Sequence, residues 1–124
     1  MQTSPAKYEK SKVYFGNGGG FTGHMREFCL LDNGDVYQIN PSSREATLRN
    51  SNSRNLTKNI FKNMDAMDLK QYTYDQPGNR YFWLKYFNES DSTYLIWGRS
   101  DMEVDAGVIE MYELLVDLTK KSKK

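Results

Sequence analysis

Several short segments of the chain are rich in apolar and aromatic residues and have the character of β-strands. These segments are residues 13–15, 24–31, 35–39, 71–75, 80–87 and 93–97. Residues that favour turns separate them, and Asp32-Asn33-Gly34 between two segments is typical of a tight β-hairpin because Asn and Gly accept positive φ. The pattern therefore predicts an antiparallel sheet of about five to six strands.

Two other segments repeat their apolar residues with the period of an α-helix. Residues 55–67 place Leu56, Ile60 and Phe61 on one face, and Ser53 or Asn55 can cap the start of this helix. Residues 108–118 form a second, broader apolar stripe, and the polar stretch 40–53 is predicted to be a loop. The predicted order is β-β-β-α-β-β-β-α, an α+β fold with two helices on one face of the sheet.

The length of 124 residues fits one domain, which we predict over residues 12–119. The polar residues 1–11 are predicted to be a flexible segment, and residues 120–124 form a basic tail. Seventeen Lys and Arg against sixteen Asp and Glu give a net charge of +1. Four lysines belong to the tail, so thirteen basic and sixteen acidic residues leave the body at −3. This charge argues against nucleic acid as a partner.

The hydropathy of the chain argues against a membrane-spanning protein. The mean hydropathy is −0.79, and no segment approaches the roughly 18 apolar residues that a spanning helix needs. Residues 1–12 lack an apolar core, so we expect no signal peptide within this chain. Such a polar start is typical of the tether of a mature lipoprotein, which leaves a periplasmic or cell-surface location open.

Residues 16–23 contain five glycines in eight positions. The spacing Gly18-x-Gly20-x-x-Gly23 matches a dinucleotide-binding fingerprint, but a predicted strand follows it where that site needs a helix, so we reject nucleotide binding. In one interpretation the glycines merely allow an unusual backbone path in a hairpin. In the other, a contact loop enters a groove of a partner, with Phe21 as its apolar anchor. Its residues are Gly18, Gly19, Gly20, Phe21, Thr22, Gly23 and His24.

Aromatic residues make up 14% of the chain and are concentrated in residues 72–97. In the strand 80–87, Tyr81, Trp83 and Phe87 point away from the face that Leu84 and Tyr86 share. Because the two helices cover one face of the sheet, the other face is open to two interpretations. In the first, the face is an exposed binding surface of the kind found at interfaces, formed by Tyr81, Trp83 and Phe87. In the second, these rings are half-buried on a solvated face.

The residues that usually carry catalysis are scarce. His24 and Cys29 are the single histidine and the single cysteine, and their spacing in one strand puts them on opposite faces. They therefore cannot form a nucleophile and base pair, and Cys29 is predicted to be a buried thiol. Asp101, Glu103 and Asp105 are interpreted as acids that cap the second helix. We expect no catalytic residues, no metal and no cofactor, and thus no enzyme.

The segment 13–23, with Asp32-Asn33-Gly34, Pro77-Gly78-Asn79 and Trp97-Gly98, resembles a family of small uncharacterised proteins from Bacteroidetes, many of them secreted or lipid-anchored. The resemblance covers about residues 12–118, and Gly-Gly-Gly-Phe-Thr-Gly is its most specific element. That family implies no established activity.

Gly19-Gly20-Phe21 and Gly23 are also similar to the segment between two strands of emfourin-type inhibitors of thermolysin-like metalloproteases. This chain departs from them by an extra glycine, by Thr22 and by a longer loop 40–53. This second resemblance implies protease inhibition through the glycine segment.

These observations predict a non-enzymatic binding module whose partner is a protein. A protease inhibitor that uses the glycine-rich loop 16–23 is the first hypothesis. The alternative is a structural or interaction domain of a cell-envelope protein that binds through the aromatic face of the sheet. The oligomeric state stays open.

Overall fold

The computed structural model describes residues 5–8, 10–19, 25–72, 74, 80–88, 91–98 and 103–120. Its strands are β1 (Lys12–Gly19), β2 (Arg26–Leu31), β3 (Asp35–Ile39), β4 (Ala46–Ser51), β5 (Arg80–Asn88) and β6 (Asp91–Trp97). Its α-helices are α1 (Arg54–Met67) and α2 (Ala106–Asp117), and short 3-10 helices cover Pro5–Lys7 and Leu69–Gln71.

The six strands form one antiparallel sheet in the order β4-β3-β2-β1-β5-β6. The central strand β1 pairs with β2 on one side and with β5 on the other. The ladder with β5 runs from Lys12 opposite Phe87 to Gly19 opposite Arg80, two residues beyond the end of the ladder with β2 at Asn17. The predicted α+β fold with a six-stranded antiparallel sheet and two helices is confirmed.

The order of elements along the chain, β-β-β-β-α-β-β-α, differs from the predicted one in two segments. The predicted loop 40–53 contains β4. In the predicted strand 71–75, the described residues form no strand: Gln71 ends a 3-10 helix, and the rings of Tyr72 and Tyr74 stack with their centroids 5.3 Å apart. Residues 73 and 75 lie outside the described residues.

Polar side chains of β4 bind the residues that directly follow α2. Arg49 Nε donates a hydrogen bond to the Thr119 carbonyl at 3.0 Å, and Asn50 Nδ2 donates to the carbonyls of Leu118 and Lys120 at 3.1 and 3.2 Å. These carbonyls belong to the residues that follow α2, so the bonds attach the chain after the helix to β4. A shift of register between β3 and β4 also interrupts the alternation of side chains between the two faces of the sheet. The sequence of β4 therefore resembles that of a polar loop.

Both helices begin at the caps that the sequence suggested. The backbone N–H of Leu56 donates to Ser53 Oγ at 3.1 Å at the start of α1, which selects Ser53 over Asn55 as the cap. Asp105 accepts from the backbone N–H of Gly107 at 2.8 Å at the start of α2. The interpretation of Asp105 as a capping acid is confirmed, whereas Asp101 lies outside the described residues.

The predicted hairpin at Asp32-Asn33-Gly34 is confirmed, although Asn33 does not adopt a positive φ. The turn has three residues between β2 and β3, and among them Gly34 alone has a positive φ, of 105°. Three-residue hairpin loops commonly end on such a residue.

The helices α1 and α2 pack on the same face of the sheet and enclose the main core there. Its fully buried members come from both helices and from β1, β2, β3, β5 and β6, and include Val13, Phe15, Leu30, Val36, Ile60, Met64, Leu84, Leu95, Val108 and Leu115. The two helices thereby join the two halves of the sheet on one side.

A smaller apolar cluster lies on the opposite face, over β2 and β3. It consists of Cys29, Leu31, Tyr37 and Ile39, with Tyr8 packed against it. Tyr8 donates a hydrogen bond to the Asp32 carboxylate, and Lys12 Nζ donates to the Pro5 carbonyl at 2.7 Å. The N-terminal residues Pro5–Tyr8 are thus held against this half of the face.

Burial keeps the Cys29 thiol and the Tyr14 hydroxyl, which lie on this face of the sheet, in their neutral forms. Desolvation raises the pKa of the Cys29 thiol from 9.0 to about 12 and that of the Tyr14 hydroxyl from 10.0 to about 12. The prediction of a buried thiol at Cys29 is confirmed.

We predict that the free energy of unfolding falls as the pH rises from about 9 to about 12. In this range Cys29 and Tyr14 ionise in the unfolded chain while they stay protonated in the folded one, so the folded state binds more protons. Urea unfolding at about pH 8 and pH 11 measures the fall, which should be smaller for Cys29→Ala. An equal fall for the variant and the original protein would contradict this.

Candidate functional site

Two glycines of β1 lie beneath aromatic rings of β5 on the face turned away from the helices. Gly16 is opposite Trp83 and Gly18 is opposite Tyr81. A Cβ atom at Gly16 would lie 2.6 Å from the Trp83 ring and 2.1 Å from the Arg26 carbonyl oxygen, and one at Gly18 would lie 2.8 Å from the Tyr81 hydroxyl. Side chains at both positions would therefore displace the two rings, which stack 5.8 Å apart.

These contacts give part of the glycine segment a structural role. Gly16 and Gly18 make room for rings, and Gly19 at the end of β1 has a positive φ of 78°. Gly20, Phe21, Thr22, Gly23 and His24, the remaining residues of the predicted contact loop, lie outside the described residues. Their role as a contact loop stays a prediction.

The base of the glycine segment is fastened from the helix side. Tyr112 of α2 donates a hydrogen bond from its hydroxyl to the Gly16 carbonyl at 3.1 Å and accepts one from Asn17 Nδ2 at 3.2 Å. The Tyr112 ring meets those of Phe82 and Trp97 nearly edge-on, each at 5.6 Å. The end of β1 is therefore held by α2 on one face and by the rings of β5 on the other.

We call the face of β1, β5 and β6 that turns away from the helices the open face, since neither helix covers it. Its side chains include Lys12, Tyr14, Tyr81, Trp83, Lys85, Phe87, Tyr94 and Ile96. The predicted direction of Tyr81, Trp83 and Phe87 is confirmed, because the alternating residues Leu84 and Tyr86 pack in the helix-side core.

Exposure separates the residues of the open face into supports and accessible groups. Trp83 is only 7% exposed, so its ring packs beneath the surface and is not accessible to a partner. Tyr81 and Phe87 are half-buried, Lys85 is exposed, and the Tyr94 side chain is 54% exposed. Of the three aromatic residues singled out in the sequence, Tyr81 and Phe87 remain available for contact.

Lysines alternate with aromatic rings across the open face. Lys85 Nζ lies 5.3 Å from the centroid of the Phe87 ring and 6.0 Å from that of Tyr94. Lys12 Nζ lies 5.3 Å from the Phe87 centroid and 5.7 Å from that of Tyr14. Such distances allow cation–π attraction, which orders the long lysine side chains over the rings.

No acid within the described residues forms an ion pair with Lys12 or Lys85. Glu27 lies on the same side of the sheet, but it pairs with Arg44. The positive charge of Lys85 is therefore available to a partner, whereas Lys12 is buried and bound to the Pro5 carbonyl.

No signal in the sequence identified Lys12, Tyr14 or Tyr94 as residues of this surface. Alternation had placed Lys85 on the same face as Tyr81, but the combined surface depends on which strands are neighbours. The register puts Tyr14 opposite Lys85 and Lys85 opposite Tyr94. Since β1 and β5 are far apart in the chain, no local signal reports this pairing.

The Cys, Asp and Glu residues in the described part of the chain include no group of three that could hold a metal ion. The Cys29 thiol is buried with a raised pKa, and Asp65 accepts a hydrogen bond from the Tyr86 hydroxyl at 2.5 Å. These groups support the core.

We predict that Gly16→Ala destabilises the protein by about 3 kcal/mol, because the new methyl group would meet a backbone carbonyl and the Trp83 ring. Gly107→Ala in the first turn of α2 is the matched control. Its methyl group would meet only side-chain atoms, of Asp105 and Met67, and alanine favours the helix, so we expect a change between zero and about 1 kcal/mol of stabilisation. Urea unfolding of both variants measures the difference, and equal stabilities would contradict the role of Gly16.

A comparison with known protein families finds no match to this chain, and neither does a search of curated protein sequences. Within the described residues, no helix has the length and apolar character to cross a membrane.

Proposed function

We propose that this protein is a non-enzymatic binding module whose open face binds an acidic, partly apolar segment of a partner protein. The observation that carries the proposal is the alternation of lysines and aromatic rings on a sheet face that neither helix covers. Aromatic rings supply large contact areas at a small loss of conformational entropy, and they are enriched among the residues that dominate binding.

Charge favours an acidic partner. Lys85 is exposed, its positive charge is unpaired within the described residues, and Glu27 on the same side is engaged by Arg44. An acidic side chain of the partner that approaches Lys85 would gain a charge-assisted contact without displacing an existing ion pair. Complementary charge of this kind also speeds association and selects among partners.

Rigidity favours binding as well. The Trp83 ring is fixed between Gly16 and the stacked Tyr81 ring, and the Tyr14 and Phe87 rings meet edge-on at 5.9 Å. A surface that is already ordered loses little freedom when a partner binds, so more of the contact energy appears as affinity.

The binding test uses random short peptides displayed on phage and selected on the immobilised full chain. We predict that the enriched peptides combine Asp or Glu with apolar residues. Lys85→Glu should weaken their binding about tenfold or more, because it replaces attraction by repulsion. Lys62→Glu, a change of the same kind at an exposed position of α1, should leave binding unchanged.

Three outcomes would overturn this proposal: no enrichment of peptides, enriched peptides without acids, or equal binding to the Lys85→Glu variant. Binding of single-stranded oligonucleotides in place of acidic peptides would also reject it in favour of a nucleic-acid surface. Circular dichroism checks that both variants are folded, which we expect because Lys85 and Lys62 are exposed.

Protease inhibition through the glycine segment is the second candidate. It is supported by the firm attachment of the segment's base, where Tyr112 holds Gly16 and Asn17 and the Tyr81 ring covers Gly18. Inhibitory loops gain affinity when their ends are held in place, since less freedom is lost on binding. In this candidate function, Phe21 is the residue that enters the groove of a protease.

If the protein is such an inhibitor, we predict that micromolar concentrations slow peptide hydrolysis by a thermolysin-like metalloprotease and that Phe21→Ala weakens inhibition about tenfold or more. Leu56→Ala is the control, because Leu56 is an apolar residue of α1 with 43% exposure. Absence of inhibition at micromolar protein removes this candidate and leaves the peptide-binding proposal untouched.

A further inference from the structure

A cleft of about 660 Å³ lies near the start of β1, at the end of that strand away from the glycine segment. Three parts of the chain that are distant in sequence form its walls: Tyr8, Lys10 and Ser11, then the turn Asp32-Asn33, then the first two turns of α1. Its volume falls in the range of sites that bind small molecules in proteins.

Three positively charged side chains line this cleft. Lys10 comes from the N-terminal segment, and Arg54 and Lys58 come from α1. All three are exposed, and within the described residues none of them forms an ion pair. Asp32, the acidic residue of the lining, already accepts a hydrogen bond from Tyr8. The cleft therefore has an excess of positive charge.

The position of Arg54 opposes the stability of α1. Arg54 is the first residue of the helix, and the first turn contains no acidic residue. A positive charge at the start of a helix interacts unfavourably with the helix dipole, where acids are the usual choice. A local preference that is violated without compensation within the fold is commonly found at a binding site.

The cleft also offers an apolar surface beside its charges. Tyr8 and Phe61 belong to its lining. Tyr8 is held in place by its hydrogen bond to Asp32 and by its packing on the Cys29 cluster, and Phe61 belongs to the main core. A ligand with a ring or an apolar body can therefore lie against ordered side chains while a charged group faces the cations.

We propose that this cleft binds a small organic anion. Its carboxylate or phosphate group is held by Lys10, Arg54 and Lys58, and its apolar body lies against Tyr8 and Phe61. This site is separate from the open face, and it stands whether or not that face binds a protein.

The test titrates phenyl phosphate, benzoate, inorganic phosphate and phenol into the ¹⁵N-labelled full chain and follows the backbone amides of Asn33 and Asn55 by NMR. At least one of the two aromatic anions should shift both amides in a saturable manner. That anion should bind more tightly than inorganic phosphate, which lacks a ring, and more tightly than phenol, which lacks the charge. The tighter aromatic anion identifies phosphate or carboxylate as the preferred group.

The double variant Arg54→Gln and Lys58→Gln should weaken binding of that anion about tenfold or more. Lys62→Gln, which removes a lysine of the same helix outside the cleft, should leave binding unchanged. Without ligand, the double variant should melt at a higher temperature than the original protein, because position 54 no longer places a positive charge at the start of the helix.

The proposal is overturned if neither aromatic anion shifts these amides, if the double variant binds as tightly as the original protein, or if Lys62→Gln weakens binding to the same extent. A lower melting temperature of the ligand-free double variant would show that the positive charge of Arg54 does not destabilise α1.

Discussion

The pairing of β1 with β5 is the interaction on which the rest of the molecule depends. It joins a four-stranded N-terminal unit to the β5–β6 hairpin, and it runs along the whole of β1. On the helix side, this pairing brings Phe15 opposite Leu84 within the main core. On the other side it needs Gly16 and Gly18, because the rings of Trp83 and Tyr81 occupy the space that side chains would fill. One strand thus serves a packed core on one face and a layer of aromatic rings on the other.

The elements with local signals could be predicted from the sequence. The helices repeat their apolar residues over three turns or more and begin at capping residues, so Ser53 and Asp105 mark their starts. The strand β4 was not predicted, because its residues Arg49 and Asn50 are polar. They bind carbonyl groups beyond α2, and the alternation typical of a strand gives no sign of such bonds. Conversely, Tyr72 and Tyr74 imitate the alternation of a strand, although their rings stack on each other beside the core.

The candidate surface was predictable in its direction but not in its chemistry. Alternation along β5 correctly separated Tyr81, Trp83 and Phe87 from the core-facing residues. The neighbours Lys12 and Tyr14 come from β1, whose pairing with β5 is set by the whole fold, whereas Tyr94 comes from the other strand of the β5–β6 hairpin. Burial of Trp83 follows from the glycine opposite it, so a residue that looks like an interface anchor in sequence is mostly structural support.

The bonds between β4 and the residues after α2 tie an edge of the sheet to the C-terminal part of the described chain. Arg49 and Asn50 hold residues 118–120 against β4, so proteolysis after Asp117 would remove the partners of both side chains. The outermost strand of the sheet and the residues after α2 are therefore attached to each other, although 68 to 70 residues separate the bonded groups in the chain.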